Sequence, residues 1–138
     1  MSSTVITIRA IHQEVSFPVS AQRVYEALTD SRRFAEWSGA PAEIGNGAGD
    51  AFSCFGGMIS GRHIELLPRR RIVQAWRVAN WEEGIYSIAR FELTASGEAE
   101  TQLVFDHTGF PPEHGGHLAS GWREMYWDKL RAYLEQAG

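Results

Sequence analysis

The chain has 138 residues, of which 43% are hydrophobic and 22% charged, a composition typical of globular proteins and not of disordered ones. This length predicts a single domain over residues 1–138 and leaves no room for a second one. The formal net charge of −4 gives no basic field for nucleic acid. Without a signal-like N-terminus or a long apolar run, and with Cys54 as the only cysteine, the chain is expected to be soluble, cytoplasmic and without a membrane or disulfide role.

The N-terminal segment predicts one strand followed by two short helices. Residues 4–17 are rich in Val, Ile and Phe, and their alternation slips at 12–14, where we expect a bulge or bend. Ser20 is a predicted N-cap for a helix that runs through Thr29. Asp30 is placed to cap a second helix that ends at Gly39.

The middle of the chain is predicted to be almost entirely strand. Six further strands are expected at 42–44, 51–55, 58–67, 72–78, 86–94 and 102–107. The segments between them are short and rich in Gly, Pro and polar residues, which favours antiparallel neighbours. The sheet is therefore expected to have about seven strands, with six as the alternative.

The C-terminal segment predicts one long amphipathic helix. Apolar and aromatic residues recur there at three- and four-residue steps, at Leu118, Trp122, Met125, Tyr126, Leu130, Tyr133 and Leu134. Gly121 interrupts this pattern, and we expect it to let the helix approach the sheet. Together the elements indicate an α+β fold in which a curved antiparallel sheet wraps around the helix.

Strand alternation predicts a row of residues that faces this helix. Two readings remain open: the aromatic side chains fill the core outright, or they surround a cavity of a few hundred Å³. The predicted pocket residues are Trp76, Phe91, Phe105, His107, Trp122 and Tyr126. His107 and Tyr86 are the candidate polar anchors.

Side chains that could support catalysis or metal binding are weakly organised in the sequence. His107, His114 and His117 have no recognised zinc spacing, so solvated loop histidines are expected and neither a metal nor a cofactor is predicted. Asp106 and His107 are strand neighbours that point to opposite faces. His63 and Glu65 are expected to form a polar pair on the solvent face. The sequence contains no nucleophile elbow, P-loop or dinucleotide fingerprint.

Four segments resemble a known family. These are FGGMISG at 55–61 with ELLP at 65–68, IVQAWR at 72–77, NWEEGIYS at 80–87, and TGFP at 108–111 with GWREMYW at 121–127. They resemble the C-terminal domain of the activators of the ATPase of the 90-kDa heat-shock protein, a branch of the START and Bet v 1-like (SRPBCC) superfamily. The resemblance implies the helix-grip fold, with two short helices after the first strand.

The resemblance also implies three candidate functions. The first is a non-enzymatic binder of a hydrophobic small molecule in a cavity between the sheet and the C-terminal helix. The second is a co-chaperone that binds the 90-kDa heat-shock protein and modulates its ATPase, although nothing in the chain corresponds to the N-terminal domain of the eukaryotic activators. The third is a cyclase or hydrolase that uses the cavity.

The co-chaperone hypothesis names a partner surface formed by Arg69, Arg70, Arg71, Trp81, Glu82 and Glu83. An exposed Trp81 would favour docking through this surface, because aromatic and Arg side chains are enriched at interface centres. A buried Trp81 would favour the small-molecule hypothesis. The expected oligomeric state is a monomer, with a dimer as the alternative.

Overall fold

A computed structural model describes residues 8–136 and has one seven-stranded antiparallel sheet with the order β1-β7-β6-β5-β4-β3-β2. Its strands are β1 (Ala10–Phe17), β2 (Glu43–Ile44), β3 (Ala51–Cys54), β4 (Ile59–Leu67), β5 (Arg71–Val78), β6 (Ser87–Ala95) and β7 (Thr101–Thr108). The predicted seven-stranded α+β helix-grip fold is thus confirmed. In the part of the chain described, no helix is both long enough and apolar enough to cross a membrane.

The predicted irregularity of the first strand is wrong. β1 pairs with β7 in unbroken register from Ala10 opposite Thr108 to Phe17 opposite Thr101. The irregularity lies in β4, where the pairing with β5 shifts between His63 and Glu65. An extra residue at this point changes which side chains of β4 face the core. Residues 4–7 of the predicted first strand lie outside the described part of the chain.

Two short helices follow β1, as predicted. Helix α1 (Ala21–Thr29) begins at Ser20, whose hydroxyl accepts a hydrogen bond from the Arg23 amide. Helix α2 (Ser31–Ser38) begins at Asp30, whose carboxylate accepts from the Arg33 amide at 2.9 Å. It ends at Gly39, which has the left-handed φ of 78° that glycine adopts without strain.

The C-terminal helix is interrupted by a wider turn. It consists of α3 (Gly115–Gly121), a π-helical segment (Trp122–Trp127) and α4 (Asp128–Gln136). At the end of the π segment the Asp128 amide donates to the Arg123 carbonyl, five residues back. In a regular α-helix, residues five apart point about 140° away from each other. The π turn instead brings Trp122 and Trp127 to the same face, where their rings stack with centroids 5.7 Å apart.

A buried amide holds this helix against the edge strand. Gln13 of β1 is 7% exposed, and its side-chain nitrogen donates to the Ala119 carbonyl. Its Oε1 accepts from Trp127 Nε1 at 2.6 Å. Both polar ends of a buried side chain are therefore satisfied by the helix, which fixes the position of the helix along β1.

Candidate ligand-binding cleft

A cleft of about 430 Å³ lies between the C-terminal helix and the far half of the sheet. Its floor and sides come from strands β4 and β5, the C-terminus of α2, the 3₁₀ turn at Phe55–Gly57 and the C-terminal helix. The residues that line it are Ser38, Ala40, Phe55, Met58, Ile59, Trp76, Val78, His117, Leu118, Gly121, Trp122, Met125, Tyr126 and Lys129. The volume is in the range of small-molecule sites in proteins.

The walls of the cleft are aromatic and its mouth carries two methionines. Trp76, Trp122 and Tyr126 are each at most 5% exposed, and the Trp122 and Tyr126 rings lie 4.2 Å apart. Met58 and Met125 are 60% and 42% exposed. Flexible, polarizable methionines adapt to ligands of different shape. The cleft therefore combines rigid walls with a mouth that can adjust.

Three of the six predicted pocket residues do not line the cleft. Phe91, Phe105 and His107 are buried behind Trp122, with the Phe105 ring 4.1 Å from the Trp122 ring. Alternation along β6 and β7 correctly pointed them inward, but these strands lie under the filled part of the core. The predicted wall is corrected to Trp76, Trp122 and Tyr126, and ligand binding there stays a prediction.

A buried polar chain connects the two tryptophans of the wall. Trp122 Nε1 donates to His107 Nδ1 at 3.0 Å. Because an indole nitrogen only donates, the His107 proton lies on Nε2, which donates to the Ser87 hydroxyl at 2.7 Å. The Ser87 hydroxyl in turn donates to the Trp76 carbonyl at 2.8 Å. This series of hydrogen bonds thus fixes the Trp122 side chain relative to the Trp76 backbone.

This Ser–His pair is not arranged for nucleophilic catalysis. A serine nucleophile needs a histidine nitrogen that can accept its proton, and here the nitrogen next to Ser87 already carries one. Ser87 and His107 are 1% and 0% exposed, and neither lines the cleft. Burial lowers the pKa of His107 to about 3, which keeps the ring neutral in the folded protein. The arrangement supports a structural role.

Gly121 has a different role from the predicted one. An added Cβ at Gly121 would have no atom within 4 Å, so the residue relieves no crowding against the sheet. It lines the cleft, and its helical φ of −61° is accessible to any residue. The missing side chain therefore enlarges the cleft.

The ionisable side chains that line the cleft are His117, Tyr126 and Lys129. Burial raises the pKa of Tyr126 well above its usual 10, an effect that nearby Cys54 reinforces and the Trp76 indole opposes. Trp76 Nε1 is buried and is directed at the Tyr126 hydroxyl, although it forms no hydrogen bond of regular geometry among the described residues. Cys54 is itself buried, and burial raises its pKa to about 12.

The other histidines are dispersed. Over residues 8–136 no cluster of three metal-ligating side chains occurs, and His114 and His117 lie in the helix-start region while His107 is in the core. Asp106 and His107 point to opposite faces as predicted. The Asp106 carboxylate lies on the outer face of the sheet, where it pairs with His12 at 2.7 Å. The predicted solvent-facing position of His63 is wrong. His63 continues the inward alternation of buried Ile59 and is 1% exposed, stacked on Phe52 and hydrogen-bonded to the Gly45 carbonyl at 3.0 Å.

The two parts of the predicted partner surface lie at opposite ends of β5. The arginine turn precedes the strand and the Trp81 loop follows it, so the eight residues of β5 separate them by about 25 Å. Trp81 is 7% exposed and packs against Trp76. Arg71 is paired with Glu65 and Glu92. The charged residues that remain exposed are Arg69, Arg70, Glu82 and Glu83.

One predicted polar anchor lies outside the cleft, and several residues of the cleft were not predicted. Tyr86, a predicted polar anchor, is 51% exposed and lies under the Arg77 guanidinium on the outside of the sheet. Sequence reasoning also missed cleft residues, among them Phe55, Met58 and His117. Phe55 has a left-handed φ of 54°, and the only signal for this turn was the Gly56-Gly57 pair that follows.

Comparisons with known proteins agree on one family. The model of the family described as "Activator of Hsp90 ATPase homolog 1-like protein" matches residues 18–135. The mouse activator of 90 kDa heat shock protein ATPase homolog 2 is 28% identical over 127 residues, which cover 91% of this chain and 38% of that protein. The chain spans about a third of the length of the curated relatives that it matches.

Solved structures give the same result. An HSP90 activator from Plasmodium falciparum superposes with a TM-score of 0.85 at 25% identity, covering 92% of this chain and 96% of that one. The Aha1 dimer from Colwellia psychrerythraea superposes with a TM-score of 0.78 at 17% identity, covering 93% and 97% of the two chains. At that identity the second match shows only the fold.

Proposed function

The chain belongs to the family of activator of Hsp90 ATPase homolog 1-like proteins, and on that premise we propose that it binds an apolar small molecule in the cleft between the sheet and the C-terminal helix. The observation that carries this proposal is the cleft of about 430 Å³ with walls of Trp76, Trp122 and Tyr126. Apolar, concave and preformed sites with a few polar groups are typical of small-molecule binding. The buried position of Trp81 also favours this function over docking through that residue.

The binding can be tested by filling the cleft from the helix. Gly121→Leu places a side chain where an added Cβ meets no atom, and Gly116→Leu is the matched control because Gly116 is exposed, has equally open space and does not line the cleft. The probe is N-phenyl-1-naphthylamine, a neutral fluorophore whose emission rises in apolar sites. Thermal unfolding of both variants monitors the fold.

We expect saturable binding of about one probe molecule per chain to the wild type and to Gly116→Leu. Gly121→Leu should weaken the binding by about tenfold or more, because the leucine occupies part of the cleft. Absence of saturable binding to the wild type would overturn the proposal. Equal binding to all three proteins would place the probe outside the cleft and would also overturn it.

A second candidate function is binding to the 90-kDa heat-shock protein. The supporting observation is that this chain superposes on nearly the whole of the chain of the P. falciparum HSP90 activator. The exposed charges at the two ends of β5 are the candidate contacts, with Arg69 and Arg70 at one end and Glu82 and Glu83 at the other.

This second function is tested by amide NMR spectra of the labelled domain with and without the chaperone from the same organism. Shift changes around one of these charged ends would support docking, and an unchanged spectrum would refute it. Adding N-phenyl-1-naphthylamine in the same experiment separates the two functions, because its shifts are expected around Trp76 and Tyr126.

A further inference from the structure

Lys129 is the only lysine of the chain, since the other twelve basic side chains are arginines. It lies in α4, one turn after Met125, and lines the mouth of the cleft in a half-buried position. The other residues that line the cleft include no Asp, Glu or Arg, and His117 is the only histidine among them. The cleft therefore has a single permanent charge and it is positive.

No carboxylate neutralises this charge within residues 8–136, where the ion pairs involve histidine or arginine. Lys129 Nζ makes one contact, to the Ser38 carbonyl at 3.5 Å, where α2 ends. The favourable interaction of a positive charge with the C-terminal end of α2 is enough to explain why a lysine occurs at this surface position. However, one contact of this length leaves the other N–H groups of the ammonium without a protein partner.

The apolar wall beside Lys129 makes an anion in this position favourable. A charge pair at the border of an apolar cleft is less screened than one on the open surface. An anionic ligand group would supply the acceptor that the remaining N–H groups of the Lys129 ammonium lack.

We propose that the cleft binds an apolar molecule that carries an anionic group, of which a carboxylate is the simplest, and that the anion pairs with the Lys129 ammonium at the mouth. This inference rests on the proposed small-molecule function and specifies the chemical class of the ligand. The hydrocarbon part lies against Trp122 and Tyr126, and the charged group stays at the edge of the solvent.

The test compares decanoate with decan-1-ol, which share chain length and differ in charge. Binding to the wild type, Lys129→Gln and Arg123→Gln is measured by the quenching of tryptophan fluorescence. Arg123→Gln is the matched control, because it removes one positive charge from an exposed position of the same helix that does not line the cleft.

We expect the wild type and Arg123→Gln to bind decanoate more tightly than decan-1-ol. Lys129→Gln should lose about tenfold in affinity for decanoate, as expected for a hydrogen bond between charged groups, and less than about twofold for decan-1-ol. If both ligands bind and Lys129→Gln changes neither, this inference is wrong while the small-molecule function stands. If neither ligand binds the wild type and N-phenyl-1-naphthylamine does not bind either, both fail.

A measurement on the wild type removes the dependence on variants. Reductive methylation with ¹³C-formaldehyde keeps the charge of Lys129 and labels it as the single side-chain amine, so that its NMR signal is distinct from that of the N-terminus. Decanoate should shift the lysine signal at concentrations at which decan-1-ol does not. Equal shifts with the two ligands, or none with decanoate, would refute the pairing.

Discussion

Acid should destabilise the domain through His107, and the size of the effect follows from its burial. Burial lowers the pKa of His107 to about 3, whereas the ring in the unfolded chain keeps its usual value near 6.5. Below pH 6.5 the unfolded state therefore binds a proton that the folded state does not. The stability contributed by the neutral ring is fully present above pH 6.5 and is lost as the pH falls towards about 3. At about pH 4.5 the loss is about 3 kcal/mol, from two pH units at about 1.4 kcal/mol each.

Urea unfolding of the wild type and of His107→Gln at about pH 7 and about pH 4.5 measures this loss. Glutamine does not titrate, and its amide can accept from Trp122 Nε1 and donate to Ser87 as the histidine does. All other ionisable groups are the same in the two proteins and contribute equally to both. They include His63, the pKa of which is lowered by burial, and His12, the pKa of which is raised mainly by its hydrogen bond to Asp106. The wild type should lose about 3 kcal/mol more than the variant. Equal losses would refute the reasoning.

Two further predictions concern the backbone. Gly61→Ala should lower the free energy of unfolding by about 3 kcal/mol, because the added Cβ would overlap the Ala75 carbonyl of the neighbouring strand. Chemical denaturation measures this loss. A loss below about 1 kcal/mol would contradict the prediction and show that β4 shifts freely. Arg69→Gly should raise the free energy of unfolding by about 1 kcal/mol, because Arg69 has a left-handed φ of 68° that glycine adopts without strain. Arg70→Gly is the control, because Arg70 does not have a left-handed φ, and it should not raise the free energy of unfolding. Similar effects of the two substitutions in chemical denaturation would contradict the strain at Arg69.

The sequence predicted the sheet well because its signals are local. Turn residues that need a positive φ, such as Gly84 and Gly97, lie between the strands as expected. Alternation along β7 correctly placed Phe105 and His107 inside. The four segments that resemble the chaperone activators predicted the family, and the match over residues 18–135 confirms it.

The cleft was predicted less well because its walls depend on where elements meet. Alternation shows that Phe91 and Phe105 face inward, but not that the helix covers them while leaving Trp76 beside a gap. His63 was predicted to share the solvent face with Glu65, but the irregular pairing between them puts the two side chains on different faces, and the sequence has no glycine there to indicate a bulge. Trp127 was missed because a period of 3.6 residues puts it outside the apolar stripe, whereas it is 3% exposed.

The π segment also affects how this helix can be aligned with its relatives. A π turn accommodates one more residue than the α-helical turn it replaces, and each residue of an α-helix advances the chain by about 100°. A relative with a regular helix would therefore need a one-residue gap within residues 122–127 to keep Leu130 and Leu134 opposite their counterparts. An ungapped alignment would pair these core leucines with surface positions and underestimate the similarity of the two helices. Deletion of one residue within 122–127 is thus expected to convert the π turn into a regular α-helical turn and to leave the facing of α4 unchanged, whereas a one-residue deletion within α3 would rotate the rest of the helix by about 100°.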